Sequence, residues 1–309
     1  MKELLQKDYC YTLGRYSKPT LSVTPGESVV VETPDNTANR VKKDSDVVIL
    51  RTLDHWNPVV GPIYVEGASR GDTLVVEIKE IEPLFDQGWG GLEPGGLCTS
   101  GDSSGGLYLV HEPIDYDVKI CPIRKNTVEI PIRNKRSIFL PFAPMIGTIG
   151  TSPEIDSISS LICGAHGGNM DSPDLCPGNK LFCPVYVEGA LLYLGDVHAL
   201  QSDGELGGPP VEIASKCTLT IELIKKKAIN WPRIESSEYI MTVGNSCPLD
   251  NSLRIACSEM LFWLKNEYRY SMEDAIFLSS TVFKSRINQV VNPSNSSVTV
   301  MFPKRMLNL

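Results

Sequence analysis

The chain has 309 residues, of which 29 are basic and 37 acidic, giving a formal net charge of −8. This length allows one large or two ordinary domains. The net negative charge and the lack of a long run of Lys and Arg argue against a nucleic-acid-binding protein. The nine cysteines contain no C-x-x-C pair, so we expect free thiols and a cytoplasmic protein.

The N-terminal half predicts a β-rich fold. The first residues, MKELLQKDYCYTLGRYS, lack the apolar core of a signal peptide, and no apolar run reaches the length of about 18 residues that predicts a membrane span. Residues 19–83 contain short β-branched runs between Pro and Gly, and these predict strands at LSVTPGESVVVET, DVVIL, PIYVEGA and DTLVVEIKEI. Residues 84–106 are rich in glycine and predict a long loop or flap.

The pattern changes only near the C-terminus. Strand-like runs with turn signals continue through SIFLPFAPMIGTIG and YIMTVG. Apolar residues at three- and four-residue spacing from Asn251 to Ser271 then predict an amphipathic helix, with Asp250 as its N-cap. A second helix is predicted over 271–291, with Ser271 at its start, before a last strand, SVTVMFP.

One internal repeat indicates a duplicated β architecture. PIYVEGA at 62–68 matches PVYVEGA at 184–190, and Gly-Asp follows each copy. We interpret the repeat as one strand-turn-strand unit used twice, because Gly serves tight turns and Asp caps them. The expected organisation is a single domain over 1–309, with two β sub-lobes at about 19–150 and 151–309 as a finer division.

Residues 164–205 concentrate side chains that suit a metal site. His166, Asp171, His198, Asp203 and Glu205 lie among glycines and a strand-like run, while Asp174 and Asp196 read as turn residues. Buried carboxylates repel one another unless they are paired or bound to a cation. Imidazole with carboxylate suits zinc, and the excess of carboxylates leaves room for a second ion such as calcium.

Two other nucleophiles remain open as alternatives. Ser103 stands in a G-x-S-x-G pattern, the signal of a serine hydrolase, although its flanks do not read as strand and helix. Cys163 flanks the candidate site and offers a thiol. A non-catalytic β protein that binds a ligand through the same ion is the third alternative.

Five linked segments follow one another over nearly the whole chain: NPVVGPIYVEGASRGDTLVVEI, FLPFAPMIGTIG, HGGNMDSPDL, PVYVEGALLYLGDVHALQSDGE and AIFLSSTVFKSRINQVVNP. In this order they resemble the acetamidase/formamidase family. The resemblance implies a mainly β protein, duplicated sandwich- or barrel-like sheets and C-terminal helices. It also implies a divalent metal, usually zinc, and hydrolysis of a short amide such as formamide or acetamide to a carboxylic acid and ammonia.

Carried onto this sequence, the resemblance assigns roles to the site residues. The expected metal ligands are His166, Asp171, His198 and Asp203. Glu205 is the expected general base, and the repeat nominates Glu66 as a second candidate for that role. The expected substrate contacts are Gly167, Gly168, Asn169 and Glu212. Pro209 and Pro210 depart from the family pattern, which would reshape the acyl pocket. A small amide is the expected partner of a homodimer or higher homo-oligomer, without nucleic acid or membrane.

Overall fold

The computed structural model describes residues 2–7, 9–94, 114–292 and 294–307. Within these ranges the chain is mainly β, and its two long helices lie near the C-terminus, which confirms the expected fold class. The strands in chain order are β1 (Lys2–Leu4), β2 (Tyr9–Cys10), β3 (Thr12–Gly14), β4 (Leu21–Val23), β5 (Ser28–Thr33), β6 (Val59–Val65), β7 (Thr73–Pro83), β8 (Gln87–Leu92), β9 (Asp117–Arg124), β10 (Thr127–Ile130), β11 (Ile138–Pro141), β12 (Met145–Thr151), β13 (Ser157–Ser159), β14 (Cys163–Gly164), β15 (Gly167–Asn169), β16 (Lys180–Pro184), β17 (Leu192–Leu200), β18 (Val211–Ile213), β19 (Ser215–Ile224), β20 (Arg233–Glu235), β21 (Tyr239–Ser246), β22 (Lys284–Gln289) and β23 (Ser296–Pro303). The helices are α1 (Val47–Thr52), α2 (Leu249–Tyr268) and α3 (Met272–Thr281), with 3-10 turns at Asp44–Asp46 and Lys304–Met306.

Two large, mostly antiparallel sheets form the body of the molecule. The first has the order β1-β5-β19-β7-β16-β20-β21-β23-β22. The second has the path β11-β10-β9-β8-β18-β17-β12-β15-β14, with β6 also paired to β17, β2 and β4. Both sheets contain strands from residues 19–150 and from residues 151–309. The division into two sub-lobes therefore stays a prediction from the sequence.

The apolar core lies between the two sheets. Val31, Leu74 and Leu219 from the first sheet pack in one buried cluster with Ile146 and Leu194 from the second. Burying each of these side chains stabilises the fold by about 1.5–3 kcal/mol relative to exposure. The face-to-face packing fixes the position of the second sheet. This sheet carries the candidate site on β12, β15, β17 and β18.

Helix α2 covers the outer face of the first sheet. Met260 and Leu264 pack with Ile240 and Phe302 in a separate cluster, whereas the next residue along β21, Met241, faces the core between the sheets. The observed helix confirms the prediction made from the three- and four-residue spacing of apolar residues. Its N-cap is Pro248 rather than Asp250, which lies in the first turn.

The two copies of the repeat contact each other. The backbone N–H of Val65 donates to Gly189 O at 2.9 Å, and Gly189 N–H donates to Ala68 O at 2.9 Å. Both turn glycines have left-handed φ values, 75° at Gly67 and 74° at Gly189. Side chains other than glycine disfavour this conformation, which explains why glycine recurs at both turns.

Two predictions from local composition were wrong. The DVVIL run lies in the 3-10 turn and α1 rather than in a strand, because the Asp46 carboxylate accepts hydrogen bonds from the backbone of Lys42 and Lys43 and Leu50 packs inward. Within the described part of the predicted loop, residues 87–92 form strand β8. A Cβ at Gly90 would lie 2.3 Å from Pro210 O, so glycine here permits close strand approach.

The second predicted C-terminal helix is shorter than expected. α3 ends at Thr281, and Lys284–Gln289 then forms β22, which pairs with β23. Ser271 is the N-cap, as predicted, and its Oγ accepts the Asp274 N–H. Pairing with the last strand thus overrides the helical pattern of the sequence. None of the helices in the described ranges is long and apolar enough to cross a membrane.

Candidate active site

Strand β17 carries Asp196 and His198 to the same side of the second sheet. Leu194 and Val197 both belong to the core, although strict alternation would place them on opposite faces. The alternation of side chains along the strand is interrupted at Asp196, whose φ of 56° is left-handed. This interruption leaves the Asp196 and His198 side chains outside the apolar core but buried, at 3% and 1% exposure.

Strand β18 and the loop before it add two glutamates. Glu212 lies opposite His198 in antiparallel register, and its neighbour on the other side is Trp89 of β8. Glu212 Oε1 is 3.3 Å from His198 Nε2, and Asp196 Oδ1 is 3.5 Å from the same nitrogen. Glu205, in the β17–β18 connection, is also buried. One imidazole nitrogen therefore lies between carboxylates from two strands.

Asp171 completes the cluster from the turn after β15. Its backbone N–H donates to Gly147 O of β12 at 3.1 Å. A Cβ on Gly147 would lie 2.5 Å from Asp171 Oδ1 and 2.9 Å from Asp196 Oδ2. A larger residue at this position would push the two aspartates apart, so Gly147 is required for their close approach.

The resulting donor set is suited to a cation. Asp171, Asp196 and His198 form one group, and His198, Glu205 and Glu212 form another, in which one ligand atom from each residue lies within 4.8 Å of the others. All five residues are buried, and Asp171 Oδ1, His198 Nε2, Glu205 Oε2 and Glu212 Oε2 have no hydrogen-bond partner among the described residues. Unpaired buried polar atoms are costly, and a divalent cation held by either group would satisfy the atoms of that group.

A second layer of hydrogen bonds orients the two aspartates. Asn57 Nδ2 donates to Asp196 Oδ2 at 2.8 Å, and Thr148 Oγ1 donates to the same oxygen at 3.2 Å. Asn169 Nδ2 donates to Asp171 Oδ2 at 2.9 Å. In each aspartate one carboxylate oxygen is held and the other faces the cluster. This arrangement is typical of carboxylates that ligate a metal.

Gln201 sets the tautomer of His198. The Gln201 side-chain amide donates to Asp171 O at 2.7 Å and to Asn288 O at 3.0 Å, so its oxygen is the acceptor for His198 Nδ1 at 2.8 Å. Since Nδ1 then carries the hydrogen, Nε2 offers its lone pair to the cluster when the ring is neutral. This is the arrangement of a metal-ligating histidine whose second nitrogen is held by a neighbour.

The protein alone does not balance the charge of the cluster. Burial, followed by the Asp196 charge, raises the pKa of Asp171 to about 7. Burial raises the pKa of Glu212 to about 8 although His198 opposes the rise, and burial with the Asp171 charge raises the pKa of Glu205 well above its usual value. Burial alone would lower the pKa of His198, but the Glu212 and Asp196 charges raise it well above its usual value. These shifts indicate an excess of negative charge, which a cation would relieve.

A cavity of about 300 Å³ opens onto this cluster. Asp196, Glu205 and Glu212 form its acidic wall. Trp56 and Leu161 contribute apolar surface to the same cavity. The site therefore combines a metal-suited donor set with space for a small organic molecule.

Several residues expected at the site lie outside the cluster. Glu66 is exposed and accepts hydrogen bonds from the hydroxyls of Ser22 and Thr24. The Asp203 side chain is 64% exposed and pairs with Arg286 at 3.0 Å. Neither carboxylate shares the buried environment of the five clustered residues.

His166 is buried in the turn between β14 and β15, but it belongs to neither group of potential ligands among the described residues. Burial lowers its pKa to about 4, so the ring is neutral. Gly167 and Gly168 pack closely against backbone, where a Cβ would lie 2.5 Å from Ile149 O and 2.2 Å from Ile162 O. Of the HGGN residues, Asn169 reaches the cavity wall.

Of the two alternative nucleophiles, the structure describes Cys163 but not Ser103. Burial raises the pKa of the Cys163 thiol well above its usual value, and a buried neutral thiol is a poor nucleophile. Ser103 lies outside the described residues.

Several features of the site were missed from the sequence. Asp196 was interpreted as a turn residue, and Asn57 and Thr148 were not singled out. Asn57 and Thr148 lie about 139 and 48 positions away from Asp196 in sequence, so only the pairing of strands reveals the contact. The available signal was Gly195-Asp196, with only Val197 between it and His198, on an otherwise apolar strand.

Comparison with known proteins identifies the family to which the chain belongs. The model of the acetamidase/formamidase family matches residues 17–159 and 156–309. The chain belongs to this family. The crystal structure of an acetamidase from Yersinia enterocolitica matches with a TM-score of 0.91 at 35% identity, covering 99% of this chain and 92% of that one. The resemblance expected from the sequence is thereby confirmed, and with it membership of a family of hydrolases acting on linear amide bonds.

Two further relatives support this assignment. An acetamidase from Bacillus halodurans has a TM-score of 0.88 at 32% identity, covering 98% of this chain and 97% of its own. The formamidase of Methylophilus methylotrophus is 26% identical over 91% of this chain and 85% of its own length. The chain spans 61% and 63% of the length of two other curated relatives, from Schizosaccharomyces pombe and Mycolicibacterium smegmatis.

Proposed function

We propose that the protein hydrolyses a carboxamide to a carboxylic acid and ammonia with the help of a divalent cation. The observation that carries this proposal is the set of buried, unpaired donor atoms at the cavity wall, in a chain that belongs to the acetamidase/formamidase family. Zinc is the cation that the mixed nitrogen and oxygen donors favour. A second ion, such as calcium, stays a prediction, as do the cytoplasmic location and the homo-oligomeric assembly.

Asp171, Asp196 and His198 are the proposed ligands. Each offers one free atom, while its other polar atom is held by Asn169, by Asn57 and Thr148, or by Gln201. When bound there, a divalent cation would supply Lewis acidity, which lowers the pKa of water and polarises an amide carbonyl. Glu212 Oε1 lies 3.3 Å from His198 Nε2 and adds negative charge that strengthens cation binding.

Glu205 is the proposed general base. It lines the cavity, and one of its carboxylate oxygens has no hydrogen-bond partner among the described residues. In this role it takes a proton from the attacking water as the C–O bond forms. It then delivers that proton to the amide nitrogen, which leaves as ammonia when the C–N bond breaks. An amide nitrogen leaves poorly unless it is protonated, so the same carboxyl serves both steps.

The proposal is tested by metal analysis together with ammonia release from formamide and acetamide. We expect stoichiometric divalent metal, loss of ammonia release after chelation and its recovery when the metal is returned. The melting temperature of the chelated protein shows whether the fold survives metal removal. Full activity without metal would contradict the cation's role, and metal content without turnover of any amide would indicate a binding protein.

A further inference from the structure

Strand β22 carries a β-bulge at Asn288. Ile287 pairs with Val298 of β23 and Gln289 pairs with Ser297, so Asn288 is the extra residue of the bulge. Bulges next to active sites redirect the groups of the bulged residue out of the regular ladder. Here the redirected group is the backbone carbonyl of Asn288, which faces the segment that follows β17.

The carbonyl oxygen of Asn288 holds that segment at two points. It accepts the side-chain amide of Gln201 at 3.0 Å and the backbone N–H of Gly204 at 3.2 Å. Gln201 Oε1 in turn accepts the Nδ1–H of His198 at 2.8 Å, and Gly204 directly precedes Glu205. One carbonyl group therefore restrains both a proposed cation ligand and the proposed general base.

The side chain of Asn288 anchors the bulge to β23. It is fully buried, its Nδ2 donates to Ser297 Oγ at 2.9 Å, and its Oδ1 accepts the hydroxyl of Thr299 at 3.0 Å. Thr299 Oγ1 also lies 3.4 Å from the hydroxyl of Ser172, the residue after the proposed ligand Asp171. A buried polar network whose members are all paired is rigid, so it can hold a bulge in one position.

We propose that Asn288 is a positioning residue of the active site, which orients His198 through Gln201 and places Glu205 through Gly204. The inference rests on the proposed cation-assisted hydrolysis and names a residue that this site needs. Asn288 lies outside the described lining of the cavity, so it acts through these neighbours rather than on the substrate.

The first test measures the Kd for Zn²⁺ of Asn288→Leu by competition with a chromogenic zinc chelator, with no amide present. Leucine has a similar size, but it leaves the hydroxyls of Ser297 and Thr299 without their partner, so the bulge is no longer anchored. We expect the Kd to rise by about 10- to 100-fold, the usual effect of releasing a group that orients a metal-binding histidine.

A double-mutant cycle shows whether this effect passes through Gln201. We expect Gln201→Leu alone to raise the Kd for Zn²⁺ by about 10- to 100-fold. Adding Asn288→Leu should then change the Kd by less than about twofold, because the contact on which it acts is already lost. A loss of affinity that arises from general destabilisation would instead multiply with that of Gln201→Leu, and such additivity would overturn the proposed path.

The effect on Glu205 is measured as kcat for ammonia release from acetamide at saturating zinc, where metal affinity no longer contributes. We expect Asn288→Leu to lower kcat by about two- to tenfold, because a displaced general base transfers its proton less effectively. An unchanged kcat would overturn the part of the proposal that runs through Gly204.

A matched pair of milder variants covers the case in which Asn288→Leu does not fold. Thr299 and Thr242 are both fully buried, on the neighbouring strands β23 and β21, and each donates one hydrogen bond, to Asn288 and to Ala256 O respectively. We expect Thr299→Val to raise the Kd for Zn²⁺ by about fivefold, the contribution of one hydrogen bond. Thr242→Val should leave it within about twofold, and equal effects in the two variants would overturn the proposal.

The outcomes separate this inference from the function on which it rests. If the wild type, Asn288→Leu and Thr299→Val bind zinc equally tightly, the positioning role is overturned while the proposed function stands. If the wild type binds no divalent cation, the cation-assisted function fails and this inference fails with it.

Discussion

At the residue scale, three acidic residues of the site share an unusual backbone conformation. Asp171, Asp196 and Glu205 have φ values of 46°, 56° and 49°, in the left-handed region that non-glycine residues rarely adopt. Each such residue costs about 1–3 kcal/mol unless its surroundings hold it in place. Here each of the three residues belongs to a group of potential ligands that includes His198, so the strain is located where the chemistry is proposed.

The general-base role is tested by comparing the two glutamates that the sequence nominated. We expect Glu205→Gln to lower kcat by about 10²- to 10⁴-fold, because the amide cannot take the proton from water. Glu66→Gln should leave kcat unchanged, since Glu66 is exposed and bonded to Ser22 and Thr24. Ammonia release and circular dichroism of both variants provide the measurement. Equal loss in both variants would return Glu66 to the active site.

At the element scale, strand β22 holds the loop that carries Glu205. Gly204 N–H donates to Asn288 O at 3.2 Å, and Val290 N–H donates back to Gly204 O at 3.1 Å. Beside these bonds, Arg286 pairs with Asp203 at 3.0 Å and with Asp174 at 2.7 Å. Strand β22, which the sequence pattern predicted to be helical, thus fixes the position of this loop next to the site.

This arrangement predicts a positioning role for Asp203, in contrast to metal ligation. We expect Asp203→Ala to lower kcat by about two- to tenfold, because an exposed ion pair contributes little stability but restrains the Glu205 loop. The metal content should not change. Asp250→Ala, at an exposed ion pair on α2, is the control and should alter neither quantity. Loss of bound metal in Asp203→Ala would restore this residue as a ligand.

The contact between α2 and the first sheet depends on a glycine. A Cβ at Gly244 of β21 would lie 2.1 Å from Ser252 O of the helix. Since backbone cannot yield as a side chain does, we expect Gly244→Ala to lower the free energy of unfolding by about 1–3 kcal/mol. Gly207→Ala, where a Cβ would meet nothing within 4 Å, should change it by less than about 0.5 kcal/mol. Denaturant unfolding of both variants makes the comparison, and similar stabilities would refute the close packing.

At the scale of the whole molecule, a buried aspartate links the turn after β6 to the segment that follows β19. Asp72, in the turn after β6, is 2% exposed and pairs with Lys225 Nζ at 2.6 Å, beyond the end of β19. Burial alone would raise its pKa, but hydrogen bonds from Lys225, Lys226 N–H and Ser69 outweigh it and hold the pKa at about 2, against an ordinary 3.8.

This shift predicts a pH dependence of stability. Because the pKa is lower in the folded state, the carboxylate stabilises the fold above pH 4, and the contribution is lost as the pH falls toward 2. The shift corresponds to about 2 kcal/mol. The difference in unfolding free energy between the wild type and Asp72→Asn should therefore shrink by that amount between about pH 5 and pH 2. Glu27→Gln, at the exposed pair with Lys2, should show a much smaller change, and equal pH dependence in both would contradict the assignment.

Local patterns predicted much of the fold, because an element that buries one face has apolar residues at the regular spacing of its helix or strand. The strand β7 and helix α2 follow their apolar periodicity. The predictions for β8 and β22 were wrong where the deciding contact is with a distant segment, as when Pro210 O approaches Gly90. Periodicity reports which faces are buried, but it does not report which segment buries them.

The sequence by itself determined the family, the mainly β class and the stretch that holds Asp171, His198 and Glu205, since these are carried by local motifs and their order. Only the tertiary structure brought Asp196 and Glu212 to the same imidazole nitrogen and left Glu66 and Asp203 exposed. The physical reason is that a cation site depends on distances of a few ångströms between atoms on several strands. Those distances follow from strand register and from the left-handed residues that shift it.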